Sequence, residues 1–260
     1  MGGFIFAYER IMKFDTINNY FDHIYVITLE RDIERQEHII KDLEGLKFSF
    51  FYGSDKKNLV MDELIENGTY DEGKAIKNHR FDKPMNTGQI GRSWSHRLVY
   101  EDMLENKYNR ILILEDEVIP KKEGFETFEE TLTSLPADWE LLYLDCDINL
   151  SRNLGTWFRQ LSCHIRYFFG KLKWNHRVIK NLYARKYSDT LLVAGMHECT
   201  NAYAITQSAA KKLVSLQKPI SFLSDGLLAH ACTNKILRAY VFKAGAFQKH
   251  MKLKVKSLID

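Results

Sequence analysis

The chain has 260 residues, 45% hydrophobic and 13% aromatic, with a net charge of +3. That composition supplies a core for one large α/β domain or two small ones, and it excludes a general polyanion binder. The four cysteines, Cys146, Cys163, Cys199 and Cys232, lack C-x-x-C spacing, which argues against a zinc site or disulfide scaffold and suits a reducing compartment. No run of 18 apolar residues occurs, residues 4–8 are too short for a signal-peptide core, and Phe6 stands where myristoylation needs Ser or Thr. A cytoplasmic protein is expected, or one docked on a membrane from that side.

Residues 1–20 read as an amino-terminal extension. Residues 24–29, Ile-Tyr-Val-Ile-Thr-Leu, predict a strand. Residues 30–40 are helical in composition, with Ile33, Ile39, Ile40 and Leu43 as a partial apolar stripe. Arg31 and Arg35 are four apart, on one face near the helix start, where the helix dipole disfavours cations. A bound diphosphate would relieve that conflict, as would salt bridges to Glu30, Glu34 or Glu37. Residues 48–52 predict a second strand, so the chain opens as β-α-β, the start of a parallel sheet with a ligand crevice at its strand ends. Residues 56–87 read as short helices and loop. Gly88 and Gly91 then enter a helix over 97–104, where they permit close backbone approach and leave N–H groups for a phosphate, with Ser95 or His96 adding contacts.

Ile111-Leu112-Ile113-Leu114 predicts a strand buried on both faces, ending in Glu115-Asp116-Glu117. Unpaired carboxylates cannot stay in an apolar interior, so the strand delivers them to its carboxyl edge. There they either hold a divalent cation, magnesium or manganese by their oxygen chemistry, or form a solvated acidic turn. A helix over 125–135 is stopped by Pro136. Residues 141–147 predict another buried strand, whose Asp145 and Asp147 imitate a D-x-D metal motif. Further on come a segment over 193–205, a helix over 208–216 capped by Ser208, the Ser224-Asp225-Gly226 turn, a strand over 237–242, and Gln248.

Residues 151–190 differ in composition. They hold nine Lys or Arg against one acid, Asp189, a balance of +8 that leaves the remainder at −5. Trp157, Phe158, Tyr167, Phe168, Phe169, Trp174 and Tyr183 lie among the bases. The mixture suits an anionic membrane surface or anionic acceptor, or a solvated insertion; no nucleic-acid motif accompanies it.

Five blocks in order resemble glycosyltransferase family 25, which includes lipooligosaccharide and collagen galactosyltransferases. They are residues 24–31 with Arg35; Gly88-Gln89-Ile90-Gly91 with Ser95-His96; residues 113–118; residues 200–205 followed by 210–213; and Ser224-Asp225 with Gln248. The resemblance implies an α/β fold of GT-A type, a mostly parallel central sheet flanked by helices that binds a nucleotide-sugar. It implies a single domain over 21–250 with an insertion at 151–190 and a tail at 251–260. It also implies a UDP-sugar donor, usually UDP-galactose, a divalent metal, Mn2+ or Mg2+, and a glycan or glycolipid acceptor such as lipooligosaccharide, with the enzyme peripheral on the cytoplasmic face of the inner membrane.

Carried onto this sequence, the resemblance implies donor contacts from Thr28, Leu29, Arg31, Arg35, Gly91, Ser95, His96, Asn201, Tyr203 and Gln248, and metal contacts from Glu115, Asp116 and Glu117. Two positions depart from the family: Glu117 replaces Asp, and Arg92 replaces a small residue or cysteine. The leaving diphosphate needs positive charge beside it and the acceptor hydroxyl needs a base. Asp225 is the first candidate base, Asp145 or Asp147 the second. The family inverts configuration, so no covalent sugar–enzyme intermediate is expected. Two other readings stay open, a different metal-dependent nucleotide-sugar enzyme and a non-catalytic glycan-binding module.

Overall fold

The structure is a computed structural model and describes residues 14–145 and 153–250. Cys146 and Asp147, and with Asp147 half of the rival D-x-D pair, lie outside the described residues, as does the tail at 251–260.

The strands are β1 (His23–Thr28), β2 (Ser49–Tyr52), β3 (Arg110–Glu115), β4 (Val118–Pro120), β5 (Leu141–Tyr143), β6 (Arg185–Lys186), β7 (Leu191–Val193), β8 (Ala202–Thr206), β9 (Ala239–Phe242) and β10 (Phe247–Lys249). The helices are α1 (residues 14–20), α2 (Ile33–Asp42), α3 (Met61–Glu66), α4 (Glu72–Asn78), α5 (Thr87–Glu105), α6 (Lys122–Glu126), α7 (Phe128–Ser134), α8 (Leu154–Phe168), α9 (His176–Lys180), α10 (Gln207–Gln217) and α11 (Ser224–Thr233). Eight strands form one sheet in the order β2-β1-β3-β8-β5-β9-β7-β6, and β10 pairs with β4 in a separate ribbon. The strands run mostly in one direction. The exceptions are β8, antiparallel to both β3 and β5, and β7, antiparallel to β9 and β6. This is the α/β arrangement expected of a GT-A type fold.

Strand β3 shows why the sheet needs helices on both sides. Ile111 and Ile113 join one apolar cluster with Val99, Tyr100, Tyr203 and Leu228, while Leu112 and Leu114 join the other with Val26, Ile39, Phe128 and Phe242. All four β3 side chains are fully buried, each contributing about 1.5–3 kcal/mol of apolar transfer. Residues 14–20, which composition grouped with the extension, are helical, and Phe14 and Ile17 are buried in the second of these clusters.

Several boundaries moved. Helix α5 begins ten residues before the apolar stripe at 97–104, because Asn86 and Gln89 form a reciprocal capping box. Gly88 therefore sits in its first turn and Gly91 lies within the helix. The helix over 125–135 is two short ones, α6 and α7. Thr206, not Ser208, caps α10, and the Ser208 hydroxyl instead donates to Glu140 at 2.8 Å.

Candidate active site

Parallel pairing sets Ile27 of β1 beside Glu115 of β3, so both strands end at the same edge of the sheet. A cleft opens there. Thr28 and Leu29 come from the end of β1, Ser54 and Lys56 from the turn after β2, Gly88, Arg92, Ser95 and His96 from α5, and Glu115 and Asp116 from the end of β3. Helix α5 can lie this close because Gly91 has no side chain: a Cβ there would stand 2.6 Å from the Ser54 carbonyl oxygen. The Ser54 N–H donates to Ser95 Oγ at 2.9 Å, and that hydroxyl donates to the Gly91 carbonyl at 2.7 Å.

The three carboxylates after β3 do not gather. Each is drawn to a different cation. Glu115 takes Arg92, with Nη2 at 2.7 and 2.6 Å from its two oxygens, and also accepts from Thr200 Oγ1 at 2.6 Å. Asp116 takes Arg35 at 2.9 Å and accepts from Thr28 Oγ1 at 2.7 Å. Glu117 reaches Lys249 at 2.7 Å. Among the described residues no three His, Cys, Asp or Glu side chains are placed to hold a metal ion. The donor set therefore does not fit the three-carboxylate metal site expected from the sequence. The physical reason is local: unlike oxygens facing open water, these are already neutralised by arginine or lysine.

Charge and burial compete at each group. Burial opposes ionisation of Glu115 most strongly, but Arg92 and His96 outweigh it and hold the carboxyl well below the usual range. Glu115 in turn raises Arg92, against burial, and Asp225 and Glu117 act on the same guanidinium in the same direction. At Asp116 burial wins over Arg35 and Thr28, and its carboxyl is pushed up. Beneath the cleft, His96 Nε2 lies 3.3 Å from Glu115, while its Nδ1 is 2.7 Å from the Tyr203 hydroxyl, which is 2.7 Å from that of Tyr100.

Of the expected donor contacts, Thr28, Leu29, Ser95 and His96 line the cleft; the others do not. Arg31 precedes α2 and pairs with Asp55 at 2.7 Å. Arg35 is buried on Asp116, so neither arginine bridges to Glu30, Glu34 or Glu37. Gly91 is inside α5, so it does not offer a helix terminus; that role falls to Gly88. Tyr203 is fully buried and supports His96 from behind. Asn201 donates to Asp145 at 2.8 Å, whose carboxyl burial pushes up. Gln248 sits exposed in β10, opposite Ile119. Asp225 lies in the first turn of α11, half-buried, its Oδ1 accepting from the Gly226 N–H.

Ile27, Ser54, Lys56 and Arg92 also line the cleft. Arg92 had a signal in the sequence, as a departure from the family pattern, and Ile27 lies within the first family block, residues 24–31. The others come from the turn after β2.

The family described as "Glycosyltransferase family 25 (LPS biosynthesis protein)" matches residues 21–228. The chain belongs to glycosyltransferase family 25. Two proteins named "Glycosyltransferase 25 family member" are similar to it. One, from Aedes aegypti, is 29% identical over 204 residues, covering 77% of this chain and 29% of that protein. The other, from Anopheles gambiae, is 30% identical over 204 residues, covering 77% and 30%. This family-25 chain thus spans under a third of the length of the curated relatives it matches. Among solved structures, an inositol-1-phosphate CTP transferase from T. maritima overlaps at TM-score 0.41 and 11% identity, covering 90% of this chain and 91% of that one. Mouse xyloside xylosyltransferase 1 overlaps at 0.31 and 13% identity, covering 83% and 62%.

Proposed function

We propose that this family-25 domain transfers a hexose, galactose from UDP-galactose, onto a glycan acceptor of the lipooligosaccharide or lipopolysaccharide type, with inversion. The observation that carries the reading is the cleft itself: a family-25 chain whose acidic strand end, first-turn Gly88 and two cations, Lys56 and Arg92, meet in one concavity. Lys56 and Arg92 suit the donor's diphosphate, and the positive end of α5 at Gly88 adds to them.

In the proposed reaction the acceptor hydroxyl oxygen bonds to the sugar's anomeric carbon as the carbon–phosphate oxygen bond breaks. The hydroxyl proton passes to Asp225, and the new negative charge leaves on UDP beside Arg92 and Lys56. Both aspartates are partly exposed, and Asp225 is favoured over Asp145 because its field reaches Arg92, whereas Asp145 is tied to Asn201. Incubating the protein with a panel of labelled UDP-sugars and a truncated lipooligosaccharide tests this. Transfer from UDP-galactose supports the reading; no transfer from any UDP-sugar refutes it.

The acceptor side of the proposal includes an anionic membrane. Helix α8 turns Thr156 and Gln160 inward and leaves Leu154, Phe158, Leu161, Ile165 and Phe168 exposed, spaced four and three residues apart along one face. Leu154, Phe158 and Phe168 are 81%, 64% and 83% exposed. Arg159, Arg166, Lys171 and Lys173 lie along or just beyond the helix, within a segment with one acid. Apolar side chains flanked by bases match the boundary between anionic headgroups and acyl chains, where each base contributes roughly 1 kcal/mol. Among the described residues no helix is long and apolar enough to cross a membrane.

A further inference from the structure

We infer that the Arg92 guanidinium, fixed in place by Glu115 and Thr200, is the cation that meets the donor's diphosphate, and that donor binding by this chain needs no divalent ion. The inference rests on the nucleotide-sugar reading above.

The first ground is occupancy of the oxygens. Both oxygens of Glu115 face Nη2 of Arg92, both oxygens of Asp116 are taken by Arg35 and Thr28, and Glu117 is turned to Lys249. A divalent ion would have to displace an arginine, the partly exposed Arg92 or the buried Arg35, before it gained an oxygen of Glu115 or Asp116. Breaking such a pair exposes an uncompensated charge in a poorly solvated place.

The second ground is the state of Arg92 itself. Its Nη2 also lies 3.1 Å from Thr200 Oγ1, so the side chain is held from two elements, β3 and the segment before β8. Its Nε is buried and has no hydrogen-bond partner. Its side chain is 27% exposed and lines the cleft. An arginine held this way has already lost most of its side-chain freedom, and its planar fork of donors suits phosphate oxygens.

The third ground is charge balance. Arg35 with Asp116 and Arg92 with Glu115 leave the end of β3 neutral, and Lys56 adds a second cation to Arg92 on the cleft wall. A dianionic diphosphate therefore meets two cations, Arg92 and Lys56, at a strand end whose carboxylates are already paired. Three isolated carboxylates would have repelled it.

The test titrates UDP and UDP-galactose into the full chain by calorimetry, after EDTA treatment and again with saturating Mn2+, while free Mn2+ is followed by electron paramagnetic resonance. The expected result is the same affinity in both arms and no uptake of Mn2+ by the wild-type protein. Arg92→Ala should weaken UDP by about 10- to 100-fold, the scale of a lost charged hydrogen bond. Arg92→Lys, which restores charge without the fork, should recover part of it. UDP binding that requires Mn2+, or stoichiometric Mn2+ uptake with UDP present, overturns the inference and leaves the transferase reading standing. Absence of UDP binding in both arms overturns that reading and the inference together. If Arg92→Ala fails to fold, the wild-type arms decide alone.

Discussion

Replacing Gly91 by alanine tests whether the cleft is built by the close approach of α5 to the turn after β2. The new Cβ would stand 2.6 Å from the Ser54 carbonyl oxygen and 3.3 Å from Leu59 Cδ1. Ordinary contact begins near 3.4 Å, so the turn must retreat by 0.8 Å, the difference from 2.6 Å. The obstacle is backbone, so no rotamer change relieves it, and the cost falls near the upper end of overpacking, about 3 kcal/mol. Alanine returns about 1 kcal/mol of helix propensity, leaving a net loss of about 2 kcal/mol. At about 2–4 °C per kcal/mol for a domain of this size, Tm should fall by about 4–8 °C. Retreat of the turn also stretches the Ser54–Ser95 hydrogen bond, so UDP-sugar affinity should fall with stability. The control is Gly73→Ala in α4, where the nearest atom to the added Cβ is Asp71 Oδ1 at 3.6 Å. That variant should be neutral or slightly stabilised. Thermal melts followed by circular dichroism, with donor titration alongside, decide the matter. If Gly91→Ala melts with Gly73→Ala and binds donor normally, the close-approach argument is wrong.

Three further outcomes are expected. Asp225→Asn should lower kcat about 100-fold or more with donor affinity little changed, and a near-normal kcat in a transfer assay rules Asp225 out as the base. Burial pushes His197 down to about 4, so the unfolded chain takes up its proton first. Stability from neutral His197 is complete above the ordinary pKa near 6.5 and is lost as pH falls from there toward 4, by about 3 kcal/mol in total. Melts of His197→Gln should show a flatter acid limb than wild type, and parallel curves contradict the assignment. Finally, the protein should sediment with vesicles containing anionic lipid, less so as salt rises, and Phe158→Ser with Leu161→Ser should abolish this. Equal binding to neutral vesicles, or none to either kind, returns α8 to a solvated insertion or to a surface covered by protein.

Much of the architecture was legible in the chain because it follows from local pattern. The four apolar residues 111–114 announce a strand buried on both faces, and two clusters receive them alternately. The edge where the cleft opens follows from the β-α-β opening. What pattern does not carry is which charge finds which. Glu115, Asp116 and Glu117 are neighbours in sequence, yet their partners, Arg92, Arg35 and Lys249, come from α5, α2 and β10. Likewise Tyr203 and Asn201 lie in a block shared with the family, but one faces the dry interior and the other Asp145. Asn201 precedes β8 whereas Tyr203 lies inside it, so strand pattern alone does not bring both to the cleft. The amino-terminal helix was missed because its pattern is too short to show a period before residue 21.

The sheet order has a consequence for how the chain comes off the ribosome. Strand β9, at 239–242, is wedged between β5 and β7, a hundred residues and fifty residues its senior in synthesis. Until it emerges, β5 has one open edge and the β6–β7 hairpin has no sheet to join. The family match ends at residue 228, before that strand exists. A nascent chain of that length would carry the whole cleft lining and still hold unpaired strand edges of the kind that invite aggregation. The last strand of the eight-stranded sheet to be made is thus the one that licenses the rest, so a stop codon shortly after residue 228 is expected to yield insoluble protein, with residues 229–250 restoring solubility.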